Sequence, residues 1–279
     1  MKNPYIPYPV TIQDIRIENE AKDLKTFRLV FDNHEDAAEF NHQPGQFAML
    51  SVFGKGEAPV GIASSPTEEG FLLFTVKRMG AVTTHLHNAA PGMKMGVRGP
   101  LGNAFPVDKL AGRDVVIVGG GFAFTTLRAT LNYLLDQQNR SRFGKITTIY
   151  GARTPGELLY KQELREWGDR ADLALFVTVD QGGPGWTGHV GMVPNILKEA
   201  KPNAANAVAL VCGPPIMIRF TMPVLLNLGF SEDNIILSLE MRMKCGIGKC
   251  GRCNIGKDYV CTKGPVFSLA QLKALPDEY

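Results

Sequence analysis

Cysteine is scarce in this chain, and long apolar runs are missing altogether. Five cysteines among 279 residues are too few and too bunched for a disulfide framework, which spreads its bridges through a small secreted domain. No window reaches the ~18 apolar residues of a membrane span, and no internal repeat or low-complexity linker divides the chain. The opening MKNPYIPYPV has one lysine and then prolines and tyrosines, without the continuous apolar stretch of a signal peptide. Charge of one sign is lacking too: 30 basic residues face 27 acidic ones, for a net charge of +3. That balance argues against a nucleic-acid-binding protein. Charged residues at 20% and hydrophobic ones at 44% exclude disorder, collagen and coiled coil. A cytoplasmic globular protein with reduced thiols is expected.

Glycine is present in excess, at 30 residues, about 11% of the chain against a usual ~7%. Such an excess implies tight backbone approaches, often to phosphates or clusters. The length suggests about two domains. Residues 1–110 read as short strands, at Thr26–Phe31, Gln46–Val52, Phe71–Arg78 and Lys94–Arg98, separated by breakers such as Pro44-Gly45 and Pro91-Gly92. Regular short strands predict an antiparallel barrel or sandwich. The texture changes at Gly112. Apolar strands at Asp114–Val118, Ile146–Tyr150, Leu173–Val179, Val208–Cys212 and Ile235–Leu239 alternate with helical stretches near Thr125–Gln137, Tyr160–Trp167, Val193–Glu199 and Ile216–Leu228. Alternating β and α elements predict a doubly wound parallel sheet over residues 111–239. Residues 240–279 form a third segment, too small for a core of its own.

Four of the five cysteines lie in that segment: Cys245, Cys250, Cys253 and Cys261. Four thiolates suit a structural zinc site, although that usually shows two short pairs separated by a longer arm. The x4-then-x2 spacing matches the plant-type [2Fe–2S] pattern, with the fourth cysteine arriving early. Gly246, Gly248 and Gly251 between the ligands favour the cluster, because a loop wrapped round sulfides brings its N–H groups inward. Arg242, Lys244, Lys249, Arg252, Lys257 and Lys263 surround the cysteines, with Asp258 the acidic exception. They read equally as a solvated face and as compensation for cluster charge or a dock for an acidic partner.

Gly119-Gly120-Gly121 follows a strand and precedes a helix, as a phosphate-binding loop does. Close helix–strand packing explains the same three glycines. Gly80-Ala81-Val82-Thr83, taken by itself, reads as a hairpin turn. Cys212 ends a strand, where small buried cysteines commonly pack. His85 and His87 read as capping or packing residues, and His189 carries no chemistry.

Taken in order, the motifs resemble the ferredoxin–NADP reductase superfamily over nearly the whole chain. They are Asn3-Pro4-Tyr5-Ile6-Pro7, Pro44-Gly45-Gln46-Phe47, Gly56-Glu57-Ala58-Pro59, Ile62-Ala63-Ser64, Gly80-Ala81-Val82-Thr83, Gly99-Pro100-Leu101-Gly102-Asn103, Tyr150-Gly151-Ala152-Arg153-Thr154, Gly185-Trp186-Thr187-Gly188, Cys212-Gly213-Pro214-Pro215 and the terminal cysteines. Within the superfamily the chain resembles gamma subunits of cytoplasmic hydrogenases and sulfhydrogenases. It is also similar to the electron-transfer subunit of dihydroorotate dehydrogenase and to the corresponding component of anaerobic sulfite reductase.

The resemblance implies an FAD barrel, a NAD(P)H domain and a [2Fe–2S] segment held by Cys245, Cys250, Cys253 and Cys261. It places Pro59, Val60, Gly61, Ile62, Ala63 and Ser64 along the isoalloxazine, and Gly80, Ala81, Val82 and Thr83 at the FAD pyrophosphate, with the Thr83 hydroxyl as a donor. Gly119, Gly120 and Gly121 would receive the nucleotide, Arg153 would stand near its ribose, and Cys212 would sit beside flavin and nicotinamide. The implied partners are redox subunits of hydrogenase, sulfite reductase or heterodisulfide-reductase type. Two departures stand out. Ala58-Pro59-Val60-Gly61 replaces the superfamily's Arg-x-Tyr-Ser, a change the hydrogenase-like branch tolerates. Ala123 and Thr126 replace the last glycine and the proline of the Gly-Gly-x-Gly-x-Ala-Pro loop, with Phe122 and Phe124 adding bulk, although threonine caps helices well. Three functions follow: an electron-transfer subunit using NAD(P)H, an FAD/[2Fe–2S] relay without nucleotide, and a zinc-stapled interaction module.

Overall fold

The computed structural model describes residues 3–276. Its N-terminal part is a six-stranded antiparallel sheet built from β1 (Tyr8–Ile17), β2 (Leu24–Phe31), β3 (Phe47–Val52), β4 (Gly56–Gly61), β5 (Leu72–Lys77) and β6 (Lys94–Leu101), in the order β4-β3-β6-β1-β2-β5. The two edges meet where the Ala63 N–H donates to the Leu73 carbonyl at 2.8 Å and the Leu73 N–H to Ser64 Oγ at 3.0 Å. That closure turns the sheet into a barrel, filled by alternating residues such as Val10, Ile12, Phe27, Leu29, Leu50, Phe74 and Val97. Each such side chain contributes about 1.5–3 kcal/mol by leaving water. Two short helices lie on the barrel, α1 (His34–Glu39) and α2 (Ala81–His87).

The second sheet has seven strands. β7 (Asp114–Gly120), β8 (Ile146–Ala152), β9 (Leu173–Val179), β10 (His189–Val190), β11 (Ala207–Cys212) and β12 (Ile235–Ser238) run parallel. Helices α3 (Phe124–Leu135), α4 (Lys161–Gly168), α5 (Val193–Ala200) and α6 (Pro215–Asn227) cover its faces. The continuous apolar runs follow from that covering. Along β7, Val115 and Ile117 enter the core beneath α3 and α4, while Val116 and Val118 enter the core beneath α5 and α6. In β11, Val208, Leu210 and Cys212 take the first side, and Ala207, Ala209 and Val211 the second.

After β12 the chain forms the cysteine loop with its two-stranded ribbon, β13 (Asn254–Ile255) and β14 (Asp258–Tyr259), and helix α7 (Val260–Lys263). It then returns as β15 (Val266–Ser268), pairs antiparallel with β12 as the seventh strand, and ends in α8 (Leu269–Lys273). The full order is β10-β9-β8-β7-β11-β12-β15. The C-terminal segment is thus woven into the nucleotide-domain sheet. The barrel grips it as well. The Asn103 side chain donates to the Lys263 and Val266 carbonyls and accepts from the Val266 N–H, at 2.7–2.9 Å.

A buried guanidinium lies at the centre of the junction between barrel and second sheet. Arg128 of α3 forms bidentate pairs with Glu68 and Glu163 at 2.7–2.9 Å and donates to the Ala63 carbonyl at 2.7 Å. Beside it, the Tyr160 hydroxyl meets Thr75 Oγ1 at 2.6 Å, and the Tyr160 N–H donates to Glu18 at 3.0 Å. Among the described residues no helix is long and apolar enough to cross a membrane.

Candidate functional site

In the second sheet the strand order reverses between β7 and β11, and open α/β sheets bind ligands outside the carboxyl ends of strands at such a switch point. The two ends carry Gly119–Gly121 and Cys212–Pro215. A cleft of about 240 Å³ lies there, against the barrel. Pro59, Val60 and Gly61 form one wall, Phe122, Thr125 and Thr126 another, and Cys212 and Glu240 the floor, with Thr83 at the rim. A mostly apolar slot with a few polar groups suits a planar ring system.

The three glycines at the end of β7 do different work. A Cβ on Gly119 would meet Phe124 at 2.4 Å, and one on Gly120 would meet Met217 Sδ at 2.4 Å. These two permit close helix–strand packing. Gly121 has φ +54° with open space where a side chain would stand, the arrangement a ligand-facing turn requires. Ala123 is buried among the residues of the first core, so its methyl group is taken up by packing. Phe124 is also buried, stacked on Tyr150 at 4.0 Å between centroids; of the two phenylalanines only Phe122 lines the cleft. Thr126 does not cap the helix. The N-cap of α3 is Ala123, without a side-chain bond, and Thr126 lies within the first turn, facing the barrel.

A Cβ at Gly61 would lie 2.8 Å from Thr126 Oγ1. Gly61→Ala is therefore expected to lose about 1–3 kcal/mol to overpacking, measured by urea unfolding. Thr126→Ala in the same background should recover most of that loss.

Cys212 is buried, with Sγ 3.5 Å from the Ser238 carbonyl, to which it donates. Burial, and then the nearby Glu240 charge, push its thiol well above the ordinary range, so it remains protonated. Glu240 is a residue sequence reasoning missed. Solvent reaches it through the cleft, yet the crowded walls desolvate its carboxyl and raise its pKa. Its only signal was its place directly after an apolar strand.

Gly80–Thr83 is not a hairpin turn: Gly80 is the N-cap of α2. Thr83 Oγ1 accepts from the Met79 and Gly80 N–H groups at 2.9 Å and donates to the Gly80 carbonyl at 3.1 Å, so the hydroxyl is engaged within its own turn. Val82 lies beside β4, close to Gly56. His87 packs as expected, buried with Nε2 2.9 Å from the Val76 carbonyl. Ile62, Ala63 and Ser64 are buried at the barrel closure. Arg153 is exposed just beyond the end of β8, and its carbonyl accepts from the Gln181 N–H at 2.9 Å. Beyond that loop, Trp186 folds back, its indole N–H donating to the His189 carbonyl at 2.9 Å.

The four remaining cysteines are arranged as two pairs. Among the described residues no three His, Cys, Asp or Glu side chains gather as a single-ion site. The Cys250 N–H donates to Cys245 Sγ at 3.4 Å, and the Cys261 N–H donates to Cys253 Sγ at 3.5 Å. Burial opposes ionisation of Cys245, but the Ile247, Cys250 and Lys249 amides outweigh it and bring the pKa down to about 6. Two of those bonds measure 3.2 Å, from Lys249, and 3.4 Å, from Cys250. Burial and the neighbouring Cys253 sulfur push Cys261 up, while the Gly248 amide donates to it at 3.2 Å. Crowded thiols that receive backbone N–H bonds are a donor set that a polynuclear cation satisfies. Gly246, Gly248 and Gly251 all have φ near +70°, the conformation that turns those amides inward. Cys253 and Cys261 are buried, Cys250 is exposed, and the six surrounding basic residues are exposed around that outer edge.

Three family models match in succession: an oxidoreductase FAD-binding domain over residues 13–105, an oxidoreductase NAD-binding domain over 117–222, and the iron–sulfur cluster binding domain of dihydroorotate dehydrogenase B over 240–273. With the barrel, the switch-point cleft and the cysteine loop, they define the class: an NAD(P)H-dependent flavin and iron–sulfur oxidoreductase of ferredoxin–NADP reductase fold. The solved structure of an NADH-dependent reduced ferredoxin–NADP oxidoreductase superposes with a TM-score of 0.74, at 26% identity, covering 97% of this chain and 90% of that one. Sulfhydrogenase 1 subunit gamma of Pyrococcus furiosus is 38% identical, over 98% of this chain and 94% of its own. The probable dihydroorotate dehydrogenase B (NAD(+)) electron transfer subunit of Thermococcus kodakarensis is 34% identical, over 95% and 98%. The chain belongs to the family of electron-transfer subunits that these two relatives represent.

Proposed function

We propose that this chain carries electrons between NAD(P)H and a partner redox subunit, through FAD in the interdomain cleft and a [2Fe–2S] cluster on Cys245, Cys250, Cys253 and Cys261. When bound, the flavin accepts an electron pair and passes it on singly, and the cluster carries one electron at a time. The protein's part is positioning and insulation. The backbone from Pro59 to Gly61 forms the wall along the ring, with Ile62, Ala63 and Ser64 buried behind it at the barrel closure, and the start of α2 at Gly80–Thr83 receives the pyrophosphate. Gly121 leaves room for the nucleotide, with Arg153 and the Trp186 loop on the same side. Cys212 stays neutral beside the ring and shapes the floor. The buried Cys253/Cys261 pair faces the protein interior, while Cys245 is half-buried and Cys250 exposed, which gives the electron an inner and an outer side.

The observation that carries this reading is the pairing of the thiols on a loop packed between barrel and nucleotide sheet. A two-iron centre takes two sulfurs per iron, whereas a zinc staple needs four sulfurs about one point. The sulfhydrogenase relatives favour a hydrogenase-type partner; sulfite reductase and heterodisulfide-reductase types fit the same exposed edge. Reduced thiols agree with a cytoplasmic location. The test is anaerobic titration of the reconstituted protein with NADH and NADPH. Flavin bleaching followed by the EPR signal of a reduced [2Fe–2S] cluster is expected. A flavin that dithionite reduces but neither nucleotide bleaches would remove the dehydrogenase step, and colourless protein with stoichiometric zinc would remove the whole reading.

A further inference from the structure

Arg98 lies in β6, on the barrel side of the cysteine loop, and its side chain is nearly sealed from solvent, at 6% exposed. Its Nη2 donates to Glu57 Oε2 at 2.6 Å and its Nε to Glu57 Oε1 at 3.1 Å. The same Nη2 donates to the backbone carbonyl of Cys245 at 2.9 Å, and Nη1 reaches the Pro4 carbonyl at 3.3 Å. Ser51 donates to the same Glu57 Oε1 that accepts from Arg98 Nε. One guanidinium thus joins the N-terminal segment, the flavin-side strand β4 and the peptide of the first cysteine of the cluster motif. Close packing supports the joint: a Cβ on Gly246 would lie 2.7 Å from Leu101 and 3.4 Å from Met49.

Two stretches of sequence that the electron path leaves without a role, Asn3–Pro7 and Gly56-Glu57-Ala58, meet at this group. A simple barrel salt bridge would end at Glu57. This one directs two further hydrogen bonds to carbonyls remote in sequence, one of them 147 positions away. Lysine could not replace it, because only a planar fork spans a carboxylate and two carbonyls together.

We infer that Arg98 is the positioning residue of the iron–sulfur centre: it fixes the Cys245 peptide against the flavin barrel, and its Glu57-balanced charge sets how readily the centre accepts an electron. The inference rests on the proposed [2Fe–2S] assignment. One-electron reduction adds a unit of negative charge beside Cys245, and a buried positive charge on that residue's own peptide favours the reduced state. Glu57 offsets part of that charge, so the two partners act with opposite sign.

The test uses the full-length holoprotein, titrated anaerobically in the presence of redox mediators, with the cluster read by EPR and the flavin by absorbance. Arg98→Met is expected to lower the electron partition from flavin to cluster roughly tenfold, about 59 mV for a one-electron step, and to change the EPR line shape. Glu57→Gln keeps the guanidinium but removes its counter-charge, and should raise the same partition. Arg98→Lys should restore the direction of the potential without restoring the line shape. Shifts of the same sign in Arg98→Met and Glu57→Gln, or no shift in either, overturn the inference. If Arg98→Met keeps its flavin but holds no cluster, the positioning role is supported; if it fails to fold, the sign of Glu57→Gln decides. The underlying assignment fails separately, when the unaltered protein shows no reducible [2Fe–2S] signal.

Discussion

Cys253→Ser is expected to abolish the [2Fe–2S] EPR signal while leaving the bound flavin and its reduction by NAD(P)H in place. Cys253 is buried and packed into the core shared by β12, α6 and the cysteine loop, so no water-borne ligand can replace its sulfur. Changes outside the ligand shell of a metal site alone cost ~10–100-fold. Loss of a ligand should therefore reduce electron delivery to a one-electron protein acceptor by more than ~100-fold. Diaphorase activity towards a dye that takes electrons from the flavin should fall far less. Cys212→Ser is the control, because Cys212 hydrogen-bonds to Ser238 at the cleft and not to the cysteine loop; it should keep the cluster signal. A Cys253→Ser protein with an unaltered EPR signal would refute the ligand assignment.

The second large effect concerns stability. Arg128→Met leaves Glu68 and Glu163 facing each other without their cation, and breaking a buried pair in this way costs about 3–5 kcal/mol. For a chain of this size that corresponds to a fall in Tm on the order of 10 °C, measurable by calorimetry. Acid dependence gives a sharper signature. Burial favours the neutral form of Glu68, but Arg128, with the Ser65 amide, outweighs it and holds the pKa below the ordinary value of 4.5. A carboxyl depressed in the folded state contributes stability above its unfolded pKa, and that contribution is lost as pH falls through the folded value. The unaltered protein should therefore weaken as pH drops below about 4.5. In Arg128→Met the burial is opposed by little more than the Ser65 amide, so the folded pKa should rise and mild acid should stabilise the variant. Parallel pH profiles for the two proteins would show that Arg128 and Glu68 are not coupled.

The parts of the fold that could be read from sequence share one property: their signal is local. Val115–Val118 and Val208–Val211 are continuous apolar runs because both faces of the sheet are covered, and both strands were evident. The first strand was not. Val10 and Ile12 point into the barrel, but the register shifts between Ile12 and Asp14, leaving Ile17 52% exposed. The bulge breaks the alternation that would have marked the strand. β4, with the sequence Gly-Glu-Ala-Pro-Val-Gly, looks like a breaker; it is a strand because it lies at a sheet edge, where proline is tolerated. α2 was hidden behind Gly80, which reads as a turn and serves as an N-cap.

The site divides in the same way. The spacing of the four cysteines proposed as ligands was legible because one loop carries them all. Arg128 and Arg98 were not, because their partners lie 60, 35 and 147 positions away and no short-range pattern records such meetings. The two phenylalanines and Ala123 show the limit from the other side. Their order in the loop was plain, but which of them faces the cleft depends on how α3 packs against Tyr150.

The pairing of β15 with β12 gives the cysteine loop a topology that its place near the end of the chain conceals. It is an excursion between two neighbouring strands, both ends of which the sheet holds in register, and the Leu239 N–H donates to the Pro265 carbonyl across its neck at 2.9 Å. Bringing the ends of such a loop together costs chain entropy, and here the strand pairing bears that cost before any iron arrives. Cluster assembly then needs to order only the interior of a loop already closed. Demetallation should accordingly slacken the loop while the sheet around it stays folded, so that iron can leave and return without the protein having to fold again.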